Sequence, residues 1–138
     1  MANSAGDGTS QGANVDGHAL PVLDTNLVIA DMGQDRDAYS ELAEVFLIEL
    51  PKTLSALERA SAGANPAALL ALIHEACNSL GVIGAMRGAA QTRALERRWR
   101  QGEPVPTDQA SEIVRSALLE AETALTQWLE NGSPPSSR

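Results

Sequence analysis

The stretch NPAALLALIHEACNSLGVIGA, residues 65–85, carries the signals of one complete helix. Asn65 followed by Pro66 is typical of a helix start, because an asparagine side chain caps free N–H groups and proline suits the first turn. Apolar residues then recur at spacings of three and four, and glycines appear near the end of the stretch. The stretch therefore predicts an amphipathic helix from Pro66 to about Gly81 or Ile83.

Helical periodicity continues on both sides of this stretch, and no segment has the alternation of a strand. A short segment over about 24–32 and a long one over 36–62 precede it, and two more follow, over about 86–101 and from Thr107 onward. All five segments end at or near a glycine, the residue that adopts the left-handed conformation most easily. These glycines are Gly33, Gly63, Gly84, Gly102 and Gly132.

Four of the five segments are long, and short loops join them. Because short connections make neighbouring helices antiparallel, we predict an all-α fold: an antiparallel up-down four-helix bundle with a short additional N-terminal helix. The ends of the chain, 1–22 and 132–138, have no apolar period and are predicted to be disordered tails. The helical domain is expected to cover 23–131.

Composition narrows the classes of function. The length of 138 residues favours one domain, and a net charge of −8 argues against binding to nucleic acid or to an anionic membrane. The single cysteine excludes a disulfide within the chain and a cysteine-rich zinc site. The sequence shows no membrane-spanning run and no secretory signal pattern, so we expect a cytoplasmic monomer without membrane contact.

His74 lies on the side of its helix opposite to the apolar stripe. A histidine in an apolar helix is more often a buried core residue, but an advance of about 100° per residue turns this one toward solvent. Its own side of the helix carries mostly small residues, which leave an accessible surface. The apolar stripe on the other side consists of Leu69, Leu72, Ala76, Leu80 and Ile83.

An exposed imidazole suits several kinds of chemistry. A metal site would need a second ligand on the same face, but Leu70 and Asn78 occupy the positions one turn away, so we expect no metal ion and no cofactor in this domain. Hydrolytic catalysis would need a concave pocket, which a small aliphatic bundle rarely offers. A neutral imidazole can instead attack an electrophile that a partner brings to it. That is the chemistry of a phosphohistidine relay.

The motif around His74 resembles that of the histidine-containing phosphotransfer domains of multistep two-component signalling. In that family the histidine is followed by Leu-Lys-Gly-Ser at the second to fifth positions and by Gly-Ala at the tenth and eleventh. The segment HEACNSLGVIGA, residues 74–85, keeps the histidine, Ser79 and the Gly84-Ala85 pair in register.

Two further segments extend the resemblance to about residues 23–128. The run FLIELP, residues 46–51, is similar to a run in the second helix of the family, including its proline. Leu95-Glu96 matches a Leu-Glu pair in the helix after the histidine. A match spread over three helices is more specific than a histidine motif alone.

The resemblance implies a phosphoryl carrier. Neutral His74 would accept a phosphoryl group through Nε2 from a receiver aspartate and pass it to the aspartate of another receiver. The receivers would supply the divalent metal ion that the transfer needs, and we expect it to be Mg²⁺. The sequence has no nucleotide-binding motif, so we expect no autokinase activity. Receivers are the expected partners, with the rest of a hybrid sensor kinase if the chain is one of its modules. The predicted docking surface consists of Ala67, Leu70, Ala71, Cys77, Asn78 and Gly81.

Three residues depart from the family pattern. Cys77 stands where the family has a lysine, Asn78 where it has a glycine, and Gly88 where it usually has a large aliphatic residue. These departures leave three alternatives open for an authentic relative: a slower relay, a partner adapted to the changed surface, or a degenerate module that docks without transfer. An unrelated helical adaptor, in which His74 is incidental, also remains open.

An arginine-rich helix follows the histidine helix. Residues 87–100 contain five of the ten basic residues and a single acid, Glu96. We hypothesise that Arg87 and Arg93 face the phosphoryl group or an acidic pocket of a partner, and thereby compensate for the absent lysine. The alternative is an ordinary solvated polar face.

Overall fold

The computed structural model describes residues 20–131, which form five α-helices and no strand within that range. The all-α prediction is confirmed, and the helices begin and end close to the predicted positions. Within the same range no helix has the length and apolar character needed to cross a membrane. The five are α1 (Thr25–Asp31), α2 (Arg36–Ala62), α3 (Pro66–Val82), α4 (Met86–Arg100) and α5 (Thr107–Glu130).

The predicted tails lie mostly outside the described residues. The C-terminal tail, 132–138, lies wholly outside them, and so does the N-terminal tail apart from 20–22. Within these three residues, the carbonyl oxygen of Leu20 accepts a hydrogen bond from Arg87 Nε at 3.1 Å, and that of Pro21 accepts one from the Arg87 backbone N–H at 3.1 Å. The chain therefore contacts α4 before α1 begins.

Side-chain caps explain where three of the helices start. The carboxylates of Asp24 and Asp35 and the amide oxygen of Asn65 each accept a hydrogen bond from the backbone N–H three residues later, at 2.9–3.2 Å. Each bond satisfies one of the N–H groups that a helix leaves free at its start. The predicted starts at Asp24 and Asn65 therefore have the physical cause inferred from the sequence.

Tyr39 joins three parts of the fold at one end of the core. Its side chain is fully buried, and its hydroxyl donates a 2.6 Å hydrogen bond to the carbonyl oxygen of Ile83, just after α3. Its ring meets Trp128 of α5 edge to face, with 4.9 Å between the centroids. Burial raises the pKa of the Tyr39 hydroxyl, so that it stays protonated and remains a donor.

Small residues allow α3, α4 and α5 to approach closely near the α3–α4 turn. A Cβ atom at Gly88 would lie 3.3 Å from both the Ala117 Cβ and the Leu80 Cδ1, which is tighter than ordinary carbon–carbon contact. A large aliphatic side chain therefore has no room at this position. The departure from the family pattern at Gly88 follows from this close packing.

The turn between α2 and α3 differs from the prediction. Gly63 was expected to adopt the left-handed conformation, but its φ is −83°, and Ala64 has a φ of +49° instead. An L-residue with a side chain is strained there, because its Cβ crowds the neighbouring carbonyl oxygen. Gly63 therefore lies one residue before the position with the positive φ, where a glycine would avoid the strain.

We expect Ala64→Gly to stabilise the protein by about 0.5–1 kcal/mol, because it removes the Cβ strain at a positive φ. Thermal unfolding should show a rise in Tm of about 2–5 °C. The matched control is Ala62→Gly, in the last turn of α2, where the same change should lower Tm because the conformation is helical. Equal Tm values for the two variants would contradict the strain argument.

Candidate functional site

The His74 side chain is 55% exposed in the middle of α3. The other side of this helix carries the buried residues Leu69, Ile73, Ala76 and Leu80. The imidazole therefore stands in solvent above a fully packed core, as the helical wheel predicted. A partner can reach it without any rearrangement of the fold.

Glu96 of α4 determines which nitrogen of the His74 ring carries the proton. His74 Nδ1 lies 2.8 Å from Glu96 Oε2, and because a carboxylate can only accept, Nδ1 must donate. In the neutral ring the lone pair is then on Nε2, the nitrogen farther from the helix backbone. The pairing therefore makes Nε2 the nitrogen of the neutral ring that can act as a nucleophile, and the Asn78 Nδ2 lies 3.3 Å from it.

Glu96 is itself held in place. Its side chain is only 12% exposed, and its Oε2 accepts further hydrogen bonds from Arg100, from Nε at 3.0 Å and from Nη2 at 2.8 Å. Burial alone raises the pKa of Glu96, but the hydrogen bonds and charges of Arg100 and His74 outweigh it and lower that pKa. The carboxylate is therefore anionic at neutral pH. Sequence reasoning matched Glu96 to the family but missed this contact.

The lowered pKa of Glu96 predicts a pH-dependent contribution to stability. A carboxyl group with a lower pKa in the folded state stabilises the fold above its unfolded pKa of about 4.5, and this contribution is lost as the pH falls through the folded pKa. We expect Glu96→Gln to lower the free energy of unfolding by about 1–2 kcal/mol at pH 7. The difference from wild type should shrink at pH 3, and a gap of the same size at both pH values in urea titrations would contradict the assignment.

The structure keeps most of the predicted docking surface accessible but corrects it at one position. Ala67, Ala71, Asn78 and Gly81 are exposed around His74, and Leu70 is half-buried. Cys77 is only 6% exposed, so the prediction that its thiol is accessible is wrong. The reason is that this flank of α3 faces α4, where the Cys77 Sγ lies 3.6 Å from the carbonyl oxygen of Ala89.

An apolar groove that sequence reasoning missed lies on the other flank of α3, between α3 and α2. It has a volume of about 300 Å³, and Asn78 lines it next to His74. Val45 of α2 and Val82 of α3 line it with side chains that are 55% and 56% exposed. The sequence carries one weak signal of this groove, because Val45 is an apolar residue directly before the buried Phe46 and therefore points to a different face of α2.

The structure places Arg87 and Arg93, each a predicted contact of the phosphoryl group or of a partner, in different surroundings. Arg87 donates through Nη1 to Glu120 of α5 at 3.1 Å and lies nine residues, or about 13 Å along the helix, before Glu96. It is therefore not brought to His74. Arg93 lies one turn before Glu96, is exposed, and forms no side-chain hydrogen bond or ion pair within residues 20–131. The arginine that joins the site through Glu96 is Arg100, which the sequence did not single out.

No group of three or more histidine, cysteine, aspartate or glutamate side chains that could hold a metal ion is found in the described part of the chain. No protein-family model matches the chain, and neither a curated protein nor a solved structure does so. The function proposed below therefore depends on the geometry around His74 and on the resemblance of its motif.

Proposed function

We propose that this chain is a histidine phosphotransfer domain of a multistep two-component phosphorelay. His74 accepts a phosphoryl group from the aspartate of one receiver domain and passes it to the aspartate of another. The observation that carries the proposal is the pairing of an exposed His74 with Glu96, which places the proton of the neutral ring on Nδ1 and leaves the lone pair on Nε2. Attack on a phosphoryl group brought by a partner requires an accessible ring nitrogen that carries a lone pair, and this arrangement offers one.

The pairing with Glu96 suits the proposed transfer step. Nε2 of neutral His74 attacks the phosphorus of the acyl phosphate, the N–P bond forms, and the P–O bond to the receiver aspartate breaks with its electron pair on that carboxylate. The imidazole ring gains a positive charge as the bond forms, while Nδ1 keeps its proton. The Glu96 carboxylate at 2.8 Å stabilises this charge, as a carboxylate does for the histidine of a catalytic triad. Transfer to the second receiver is the reverse step.

The proposed architecture is the antiparallel up-down bundle of α2, α3, α4 and α5 over 23–131, with α1 as an additional N-terminal helix. Contacts between α3 and α4 support it, because their residue numbers run in opposite directions: His74 meets Glu96, and Leu80 lies near Gly88. Short turns between consecutive helices favour the same arrangement. In such a bundle both α2 and α4 flank the histidine helix, so a partner above His74 also contacts them.

Response-regulator receivers are the proposed partners of a cytoplasmic, monomeric domain. Asn78, whose amide contacts Nε2, also lines the apolar groove between α2 and α3, so a receiver that reaches Nε2 also covers this part of the groove. On the other flank, Arg93, Arg97 and Arg100 of α4 are exposed and suit the acidic pocket in which a receiver holds its aspartate and a Mg²⁺ ion. The domain itself is proposed to need no cofactor and to lack autokinase activity.

The deciding experiment is phosphotransfer from a panel of phosphorylated receivers of the source organism. We expect at least one receiver to label the chain with phosphate that is lost in acid and kept in base, as a phosphoramidate is. Absence of label from every receiver would contradict the proposal. A receiver that binds without labelling would support the alternative of a degenerate docking module, which Cys77 and Asn78 motivate.

Arg93→Glu tests the charge of the α4 flank. Reversing this exposed charge should slow transfer from the receiver about three- to tenfold, because it replaces an attraction to an acidic pocket with a repulsion. The difference should shrink at high salt, which screens exposed charges. The matched control is Arg115→Glu on α5, also exposed and without an ion pair in the described range, which should stay within about twofold of wild type. Equal effects of the two variants would reject a specific role for Arg93.

A further inference from the structure

Asn78 touches the reacting atom of the proposed site. It lies one turn after His74 on α3, and its Nδ2 is 3.3 Å from His74 Nε2. Both side chains are exposed, so the contact is not forced by packing. Since the Nδ1–H group donates a hydrogen bond to Glu96, Nε2 of the neutral ring is an acceptor, and the amide of Asn78 presents its N–H group to it.

Bond formation at Nε2 removes the acceptor that this amide uses. Once the Nε2 lone pair has entered an N–P bond, the Asn78 N–H group can no longer donate to it. The nearest strong acceptors are then the anionic phosphoryl oxygens, which surround the phosphorus directly beyond Nε2. A small rotation of the amide exchanges one acceptor for the other, because the starting contact is already at the long end of hydrogen-bond distances.

We propose that Asn78 is a hydrogen-bond donor for the transferring group, an inference that rests on the proposed function of His74. In the resting domain it donates to Nε2, and in the phosphorylated domain it donates to a phosphoryl oxygen. Cys77, at the position one residue earlier, is buried against α4 and offers no cation. The neutral amide of Asn78 thus stabilises phospho-His74 from the groove side, while Glu96 stabilises the ring from the α4 side.

The test uses chemical phosphorylation, which needs no partner protein. Potassium phosphoramidate phosphorylates accessible imidazole nitrogens directly, and the decay of phospho-His74 is then followed by ³¹P NMR. We expect Asn78→Ala to shorten the half-life about three- to tenfold, the net effect of one lost hydrogen bond at an exposed position. The control Gln91→Ala removes an amide from α4 at a position that lines a different groove, with Glu112 and Ile113, and should leave the half-life unchanged.

Asn78→Asp provides an independent readout with a side chain of the same shape. It replaces the N–H donor with an anionic carboxylate, which repels a phosphoryl oxygen instead of donating to it. We expect phospho-His74 to decay faster in Asn78→Asp than in Asn78→Ala, because repulsion is added to the lost hydrogen bond. Labelling by phosphoramidate should also be slower than in Asn78→Ala, since the same carboxylate repels the incoming phosphoryl group.

The outcomes separate this inference from the proposed function. Equal half-lives for wild type and Asn78→Ala, or a half-life in Asn78→Asp that is no shorter than in Asn78→Ala, overturn the role of Asn78 whatever the receivers do. If phosphoramidate labels His74 and no receiver does, the relay fails while the half-lives still decide the role of Asn78. A wild-type His74 that phosphoramidate cannot label overturns both.

Discussion

His74→Gln will abolish phosphoryl acceptance and leave the fold intact. Glutamine is a good helix former and the position is 55% exposed, so the substitution removes the nucleophile without disturbing the core. A glutamine amide has no nitrogen lone pair able to form the N–P bond, so labelling by a phosphorylated receiver should fall to background, about 100-fold or more. Circular dichroism should show unchanged helicity, and Tm should shift by no more than about 3 °C.

His18→Gln is the matched control, because His18 is the other histidine of the chain. The same chemical change there should leave both the rate and the extent of labelling as in wild type. Base-stable label that persists in His74→Gln would show that another residue accepts the phosphoryl group. Loss of label in His18→Gln would assign the acceptor role to His18 and remove the basis of the proposed relay.

The helical wheel predicted His74 well and Cys77 badly, for one physical reason. A wheel gives angles about the axis of one helix, and His74 lies far enough from the apolar stripe that no neighbouring helix covers it. Cys77 lies only about 60° from His74 around the axis of α3, but it lies at the edge of the exposed face, and α4 covers that edge. Whether an edge position is buried depends on which neighbour packs there and how closely. Glycine and alanine on α4 and α5 make that approach close, and the sequence pattern of α3 does not report it.

The contacts of Glu96 and Arg87 could not be predicted from the sequence either, because their partners lie far away along the chain. Glu96 is 22 residues from His74, and their 2.8 Å contact depends on the register between α3 and α4. Sequence composition identified an arginine-rich helix, but the register decides that Arg100 joins the histidine site and that Arg87 binds Glu120 and the segment before α1. Local signals such as the cap at Asn65 were readable because both partners lie within one turn.

Gly84→Ala will lower the free energy of unfolding by about 3 kcal/mol or more, a larger loss than we expect from any other substitution proposed for this chain. Gly84 has a φ of +83°, where an added Cβ alone costs about 1–2 kcal/mol. That Cβ would also lie 2.8 Å from the carbonyl oxygen of Asp24 and 2.8 Å from Val28 Cγ2, closer than real Cβ contacts. The Asp24 carbonyl cannot move away easily, because the Asp24 N–H donates to the Gly84 carbonyl oxygen at 2.8 Å. Thermal unfolding should show a fall in Tm of about 10 °C or more.

Gly102→Ala separates the clash from the backbone strain. Gly102 has nearly the same φ, +82°, but a Cβ there meets nothing within 4 Å, so only the conformational cost of about 1–2 kcal/mol applies. The excess loss in Gly84→Ala therefore measures the contact between α1 and the turn that joins the histidine helix to the Glu96 helix. Equal losses of stability in the two variants would mean that α1 moves away from the added Cβ without a measurable loss of free energy. In that case α1 would be a loosely attached segment. A large excess would make α1 part of the structure that holds the α3–α4 turn, and with it the pairing of His74 and Glu96.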